Sequence, residues 1–323
     1  MYKVIGIDIS KASFDVSYEK TKGKFYHSKF DNNARGFAKF RNIIDTVDHC
    51  IMEATGPYYL MLACYLYDNG VKVSVVNPLQ VKHFVRMRMT KAKTDKKDAA
   101  MIALYGQSEN PDLWQPDEVQ VMQLQQMHTA VEGLQKQSTM LKNQLEAFSQ
   151  LPVKEKNVMG TLKALLKTIK AKIAKLEDKM LEIANNYYRD TFFLLQTIPG
   201  IGPKTAIVLI TITNNFKKFD DTKKLSAYVG LSPRVYQSGT SINGKGHITK
   251  MGNKYVRKLL YLCAWSAKQH NEQCKVMYDR LKEKKKPERV IKIAIANKLL
   301  RQAFAIATNC RVYDKNYEYK FGF

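Results

Sequence analysis

The sequence has little of what builds an exported, disulfide-held or membrane-spanning protein. Its five cysteines, Cys50, Cys64, Cys263, Cys274 and Cys310, are odd in number and contain no C-x-x-C pair, so neither a disulfide framework nor a structural zinc site is supported. No apolar run reaches the roughly 18 to 20 residues that cross a bilayer. The longest, Tyr58 to Tyr67, stops at Asp68 and reads as a buried helix. The N-terminus starts on a strand-like pattern without a signal-peptide layout, so export is not expected and a cytoplasmic location is. Acidic residues are also scarce, 29 Asp and Glu against 53 Lys and Arg, for a net charge of +24. Most of that excess lies in residues 196–323, with 25 basic and 8 acidic groups. A field of this sign favours a polyanion, because each cation that meets a phosphate releases condensed counterions. With no spanning segment, nucleic acid is the leading partner and a membrane is not expected.

What is present is a folded chain. Hydrophobic residues make up 45% and charged residues 25%, near the averages for globular proteins, and 323 residues suggest two or three domains. Lys3 to Ile9, Ser13 to Glu19 and Lys24 to Phe30 read as three successive strands from their β-branched and aromatic content. Ala34 to Asp45 has helical spacing at Phe37, Phe40 and Ile44; Cys50 to Ala54 is a fourth strand, Tyr58 to Tyr67 a helix, and Val71 to Val76 a fifth strand. Three strands followed by alternating helix and strand predict an α+β domain with a mixed sheet over residues 1–115.

Residues 116–195 change to long helices. Leu124, Met127, Val131, Leu134, Leu141, Leu145 and Phe148 recur at three- and four-residue steps, with Ser138 in the one polar slot. Leu162, Leu165, Ile169, Ile173, Leu176, Met180 and Ile183 repeat the pattern beyond Pro152. The pair predicts a helical coiled-coil region, either an antiparallel hairpin or two helices that pair with another chain. Residues 196–323 read as an α-rich basic domain. Within it Ile198 to Ala206 (IPGIGPKTA) has the form of a helix-hairpin-helix turn, where Gly200 and Gly202 bring backbone close to a ligand and the next helix offers free N–H groups to a phosphate. A plain turn between packed helices fits the same residues.

Four carboxylates carry the chemistry. Asp8 ends the first strand, Glu53 ends the fourth, and Asp95 and Asp98 open a helix with the spacing that shares one face. Each alone fits a strand end, a surface acid or a helix N-terminal charge. Together they offer hard oxygen donors suited to Mg²⁺, or Mn²⁺, and paired metals about 3.5 to 4 Å apart clamp both oxygens of a phosphodiester displacement. Lys91, Lys93, Lys96 and Lys97 lie beside them to hold phosphates. The GIDIS strand also opens actin-like ATPases, but no later Gly-rich phosphate loop follows. His83, His247 and His270 have no metal spacing, although His247 lies nine residues beyond Ser238.

Asp8, Glu53, Asp95 and Asp98 resemble the DEDD pattern of the RuvC-like, RNase H-type domain in transposases of the IS one-hundred-ten family, which includes Piv-type DNA invertases. The segments IPGIGPKTA at 198–206, AYVGLSPRVYQSGTS at 227–241 and ITKMGNKYVRKLLY at 248–261 are similar to that family's C-terminal domain. The resemblance runs from Lys3 to about residue 309. It implies a metal-binding tetrad, a serine nucleophile at Ser238 that forms a 5′-phosphoserine link to DNA, and a composite site shared between protomers of a homodimer or homotetramer. It also implies two DNA duplexes, donor and target, paired by a structured noncoding guide, the bridge RNA, so that base pairing reads sequence and protein reads shape. Expected nucleic-acid contacts are Gly200, Gly202, Lys204, Arg234, Lys245, Lys250 and Arg257.

From the residues alone the nucleophile stays open. A serine hydroxyl needs a base, a metal or strong transition-state stabilisation. Ser241 competes with Ser238, and Tyr236 stands nearby without the Arg-His-Arg set of tyrosine recombinases. Lys254 adds positive charge, and Gly239 and Gly244 permit close backbone approach. Lys284 to Lys286 read as a solvated, phosphate-facing run, and the aromatic tail, Tyr313, Tyr317, Tyr319 and Phe321, either stacks on bases or packs back.

Overall fold

The computed structural model describes residues 2–89, 94–234, 237–238, 242–243 and 247–316, with backbone alone at 237–238 and 242–243. It divides into two compact units, Met1–Pro116 and Asp117–Phe323.

In the first unit, β1 (Val4–Ile9), β2 (Ser13–Thr21) and β3 (Lys24–Asp31) form an antiparallel meander, followed by α1 (Ala34–Arg41), β4 (His49–Glu53), α2 (Leu60–Asp68), β5 (Lys72–Val76), α3 (Pro78–Met87) and α4 (Asp95–Glu109). The sheet order is β3-β2-β1-β4-β5, with β4 and β5 added parallel to β1. This is the mixed-sheet α+β layout expected of a RuvC-like domain. The period-two alternation of strands sorts its side chains onto two faces. Ile5, Ile7, Cys50 and Met52 pack with Phe37 and Phe40 of α1 and Leu62 and Leu66 of α2. Val4 and Ile51 face the other way, toward Phe84 of α3 and Met101, Ile102 and Tyr105 of α4. Ile5, Ile7, Phe14 and Phe40 are fully buried, each a gain of about 1.5 to 3 kcal/mol from removing apolar surface from water.

The second unit opens on α5 (Val119–Ser149) and α6 (Lys156–Tyr187), which pack on each other as an antiparallel hairpin within one chain. Val121, Leu124 and Val131 of α5 and Met180 and Ile183 of α6 run into the main core of the unit. Ser138 is buried in the seam, as its spacing predicts. Leu165 is not: it is 49% exposed, and neighbouring Leu166 turns inward instead. Then follow α7 (Arg189–Gln196), α8 (Pro203–Thr213) and α9 (Thr222–Val229). Four two-residue strands come next, β6 (Pro233–Arg234), β7 (Gln237–Ser238), β8 (Ile242–Asn243) and β9 (His247–Ile248), and the unit closes with α10 (Lys254–His270), α11 (Glu272–Glu283) and α12 (Glu288–Asn309). Every residue of α8 is buried except Pro203 and Lys204 at its start, so α8 is the central helix of this core.

Candidate active site

Two glycines set where the carboxylates stand. A Cβ on Gly6 would lie 2.1 Å from the Ala99 carbonyl oxygen and 2.2 Å from the Ala103 nitrogen, so β1 and α4 touch backbone to backbone. A Cβ on Gly106 would meet Ile51 at 2.5 Å and Val4 at 2.8 Å. As α4 descends from Gly106 to Ala99, its contact on β1 advances from Val4 to Gly6, so the two elements run antiparallel. One more turn toward the start of α4 brings Asp95 and Asp98 to the level of Asp8. Asp8 shares the face of Gly6, two residues on, and Glu53 shares the face of Ile51 in the same way. The ladder pairs Gly6 with Ile51 and Ile7 with Met52, which puts Glu53 beside Asp8 at the carboxyl ends of two parallel strands. All four carboxylates therefore gather on one face and at one end of the sheet.

The local chemistry fixes this end. Thr94 caps α4, its side chain accepting a hydrogen bond from the Lys97 N–H, and Asp95 and Asp98 occupy the first turn, where the helix dipole favours negative charge. Asp8, Glu53 and Asp98 are half-buried and Asp95 is exposed. Among the described residues, no three His, Cys, Asp or Glu side chains are drawn together as tightly as a bound cation requires. The donor set fits a hard divalent cation in type, as an open group at the carboxyl ends of two interior strands and not as a closed cage. Lys96 and Lys97 are exposed on the same turn; Lys91 and Lys93 lie outside the described residues.

Ser238 sits on a different kind of support. Pro233 and Arg234 pair with Ile248 and His247, and Gln237 and Ser238 pair with Asn243 and Ile242, giving two short antiparallel ladders. Where this segment leaves the helices, two stretches of backbone cross in contact. Gly230 has φ +77° and a Cβ there would lie 2.4 Å from the Met251 oxygen; Gly252 has φ +125° and its Cβ would lie 2.1 Å from the Tyr228 oxygen. Both conformations favour glycine. Hydrogen bonds from Leu231 N to Ser226 O (2.9 Å), Thr249 N to Ser232 O (3.0 Å) and Asn253 N to Tyr228 O (3.1 Å) close this neck. These contacts fix the path of the backbone where β6 and β9 leave the helices.

The expected nucleic-acid contacts fall into distinct places. Arg234 and Lys250 are exposed on the hairpin and its base. Arg257 reaches back under the neck and donates to the Val229 carbonyl at 2.8 Å, completing the end of α9. Gly200, at φ +105°, packs against Ala267, 2.8 Å from the position of an added Cβ, whereas Gly202 faces open space. Lys204 follows Gly202 and pairs with Glu177 of α6 at 2.5 Å. Beside them His128, Val131, Glu177, Pro203, Lys204 and Ile207 line a hollow of about 190 Å³. Burial pushes the His128 imidazole below its usual range, with Lys204 adding to the fall and Glu132 opposing it. Lys245, Tyr236, Gly239, Ser241, Gly244, Tyr317, Tyr319 and Phe321 lie outside the described residues. Tyr313 is described and packs back, its hydroxyl 3.0 Å from Asn271 Oδ1.

Sequence reasoning missed the neck. Its signal was in plain view as Gly230 and Gly252, one on each side of the serine segment.

Comparison with known proteins matches both halves of this arrangement. The family model for DEDD transposases of the IS110 type matches residues 5–150, and that for the transposase IS116/IS110/IS902 family matches residues 193–279. The pilin gene-inverting proteins of Moraxella lacunata and Moraxella bovis are each 32% identical, over 96% of this chain and 97% of their own length. The transposase for insertion sequence element IS1328 of Yersinia enterocolitica is 26% identical over 97% of this chain and 98% of its own. A carboxylate-bearing mixed sheet, a serine hairpin and full-length similarity to these proteins place the chain in the IS110-type family of DEDD transposases.

Proposed function

We propose that the chain is a serine-dependent DNA recombinase that cleaves and rejoins strands through a phosphoserine at Ser238. As a member of a transposase family it is a DNA-recombining enzyme; the serine route is the further step. The observation that supports it is Ser238 on a short ladder in the segment that leaves the helices at the close backbone crossing of Gly230 and Gly252. A nucleophile must be held to within a fraction of an ångström of its target, and a fixed backbone path at the neck serves that where a free loop would not.

The step balances without an external energy source. The Ser238 oxygen bonds to phosphorus and gives up its proton, the bond from phosphorus to the 3′ oxygen breaks, and that oxygen leaves as a 3′-hydroxyl. Attack by a 3′-hydroxyl from a second strand reverses the step and frees the serine. Asp8, Glu53, Asp95 and Asp98 are the residues that would hold Mg²⁺ or Mn²⁺, which when bound supplies charge stabilisation to a phosphodiester undergoing displacement. Arg234 and Lys250 position the phosphate backbone without reading sequence. Guidance by a structured RNA pairing with donor and target DNA, action as a homodimer or homotetramer, and a working division into residues 1–115, 116–195 and 196–323 belong to the same proposal.

Inversion of a fixed DNA segment is a second outcome of the same chemistry. The similarity to the two pilin gene-inverting proteins favours it, and the difference lies in the DNA sites served.

The test is a denaturing gel for a covalent protein–DNA adduct, with purified protein, copurified RNA, Mg²⁺ and DNA carrying the element's ends. Loss of the adduct in Ser238→Ala, and separately in Asp8→Ala, is the expected result. Free cleaved ends that survive Ser238→Ala and need Asp8 would make the chain a metal-dependent nuclease or junction resolvase instead.

A further inference from the structure

The outer surface of the last three helices carries an arrangement that strand cleavage does not use. Trp265 of α10 is 50% exposed, an expensive position for an indole. Beneath it the Lys292 ammonium of α12, itself only 3% exposed, stands 3.1 Å from the centroid of the ring. Lys268 lies 5.1 Å from the same centroid and 4.9 Å from that of Tyr278 on α11. Both ammonium groups meet one oxygen of Glu288, each at 3.2 Å, and the Tyr278 hydroxyl donates to the other at 2.9 Å. Glu288 is held down to about 2, by the Tyr278 hydrogen bond first and then by Lys292 and Lys268.

This geometry leaves one face of the indole without either ammonium group, on a side chain that is half exposed. Two ammonium groups bound to a single oxygen are separated by no more than twice 3.2 Å. With Lys292 in contact above the ring, Lys268 then stands on the same side or at the edge, never over the opposite face. The indole rests on the Lys292 ammonium on one face and is half exposed to solvent. A cation on one face withdraws the negative quadrupole from the other, which favours a second π-system over bulk water there.

The surroundings point to what that system is. Along α10, Lys254, Lys258, Leu262 and Trp265 recur on one exposed stripe at helical spacing. The stripe starts at the neck of the Ser238 hairpin, and Trp265 lies eleven residues on, about 16 Å along the helix. Lys282, 5.7 Å from the Tyr278 ring, and Arg289, next to Glu288 in the chain, add exposed cations. A row of phosphate-binding charges interrupted by a half-exposed aromatic is the layout that tracks an unpaired strand, with bases stacking and backbone neutralised. A duplex keeps its bases paired inside and offers no face to the indole.

We propose that Trp265 is a stacking platform for an unpaired nucleotide, with Lys254 and Lys258 holding the strand that leads to it. The partner class rests on the recombinase reading, but the site is measured without cleavage. The chain has two tryptophans, so Trp114→Phe leaves Trp265 as sole reporter. Titration with oligo-dT and oligo-U quenches its fluorescence, while a blunt duplex and an abasic oligonucleotide of equal charge do not. Trp265→Leu weakens single-strand binding by roughly 5- to 100-fold and Trp265→Tyr restores most of it. Quenching by oligo-U alone identifies RNA as the source of the strand, by oligo-dT alone DNA, and by both an unpaired strand of either kind. The proposal is overturned if Trp265→Leu binds single strands like the parent, if duplex and abasic DNA quench equally, or if quenching tracks protein concentration without nucleic acid, which would make the face a contact between copies of the chain. Ser238→Ala leaves the quenching unchanged, so failure of the serine mechanism and failure of this site are separate results.

Discussion

The carboxylates of the first unit and the serine of the second are positioned by opposite means. Asp8 and Glu53 sit at the ends of parallel strands in the middle of a five-stranded sheet, and Asp95 and Asp98 on a helix that touches that sheet backbone to backbone. Ser238 sits on a two-residue strand, in the segment that leaves the helices through the backbone crossing at Gly230 and Gly252. Regular secondary structure with a buried core holds the first; two left-handed glycines and a handful of hydrogen bonds hold the second. Open carboxylates need a stiff frame so that their mutual repulsion does not spread them. A nucleophile that must meet DNA needs reach, and so stands away from the core on a fixed base.

That contrast is broken most severely at Gly6. A branched side chain there collides with the Ala99 and Ala103 backbone, so Gly6→Val forces α4 off the sheet at a cost of about 3 kcal/mol. Trp114 reports on the first unit and Trp265 on the second. In urea, Gly6→Val lowers the midpoint followed by Trp114 in a Trp265→Phe background, and DNA cleavage is lost with it. An equal shift followed by Trp265 in a Trp114→Phe background would contradict the separate accounts.

Gly252→Ala comes next. Its backbone at φ +125° and the Tyr228 oxygen 2.1 Å from the new Cβ cost about 1 to 3 kcal/mol, confined to the neck. Adduct formation falls at least about tenfold, in keeping with the loss from misplacing a nucleophile, while the Trp114 midpoint stays fixed. An unchanged adduct yield would show that the neck does not position the serine.

A smaller effect sharpens the role of the α7–α8 turn. Glu177→Gln releases Lys204 from an exposed pair, changing stability by under about 1 kcal/mol. If the turn meets phosphate, DNA affinity rises and the slope of log K against log salt steepens by about 1. No change in slope assigns the turn to packing, the role that Gly200 against Ala267 already has.

The smallest effect is one of pH. The folded-state Glu288 carboxyl is held at about 2, below its ordinary 4.5, so its contribution to stability is complete above 4.5 and fades as pH falls toward 2. Glu288 is 44% exposed, which screens the gain. Melting temperatures of the parent and Glu288→Gln differ slightly at pH 6 and converge on acidification; a constant gap would contradict the role given to Glu288 among Lys268, Lys292 and Tyr278.

How far the sequence discloses this structure varies by element. The strands of the first unit are legible to within a residue or two, because alternation on a two-faced sheet is a direct imprint of burial. Ile44 shows the limit: its spacing extends a helix to Asp45, yet α1 ends at Arg41 and Ile44 is buried from the following turn, its carbonyl accepting from Arg41. Periodicity records what is inside, not always what is helical. Asp8, Glu53, Asp95 and Asp98 are legible as a group because each ends or opens a regular element. The four short strands around Ser238 are not, since two-residue ladders leave no period to read. Lys292 is hidden for another reason: flanked by Ile291 and Ile293, it looks like an outward charge on an apolar helix, and only the fold shows it under Trp265.

The most direct test of the central claim is to trap the adduct on DNA nicked beside the cleavage site, digest the protein and sequence the nucleotide-bearing peptide. The account predicts a 5′-phosphate joined to Ser238. A nucleotide on Ser241 or Tyr236, or no modified peptide from a reaction that has cleaved its DNA, would contradict it.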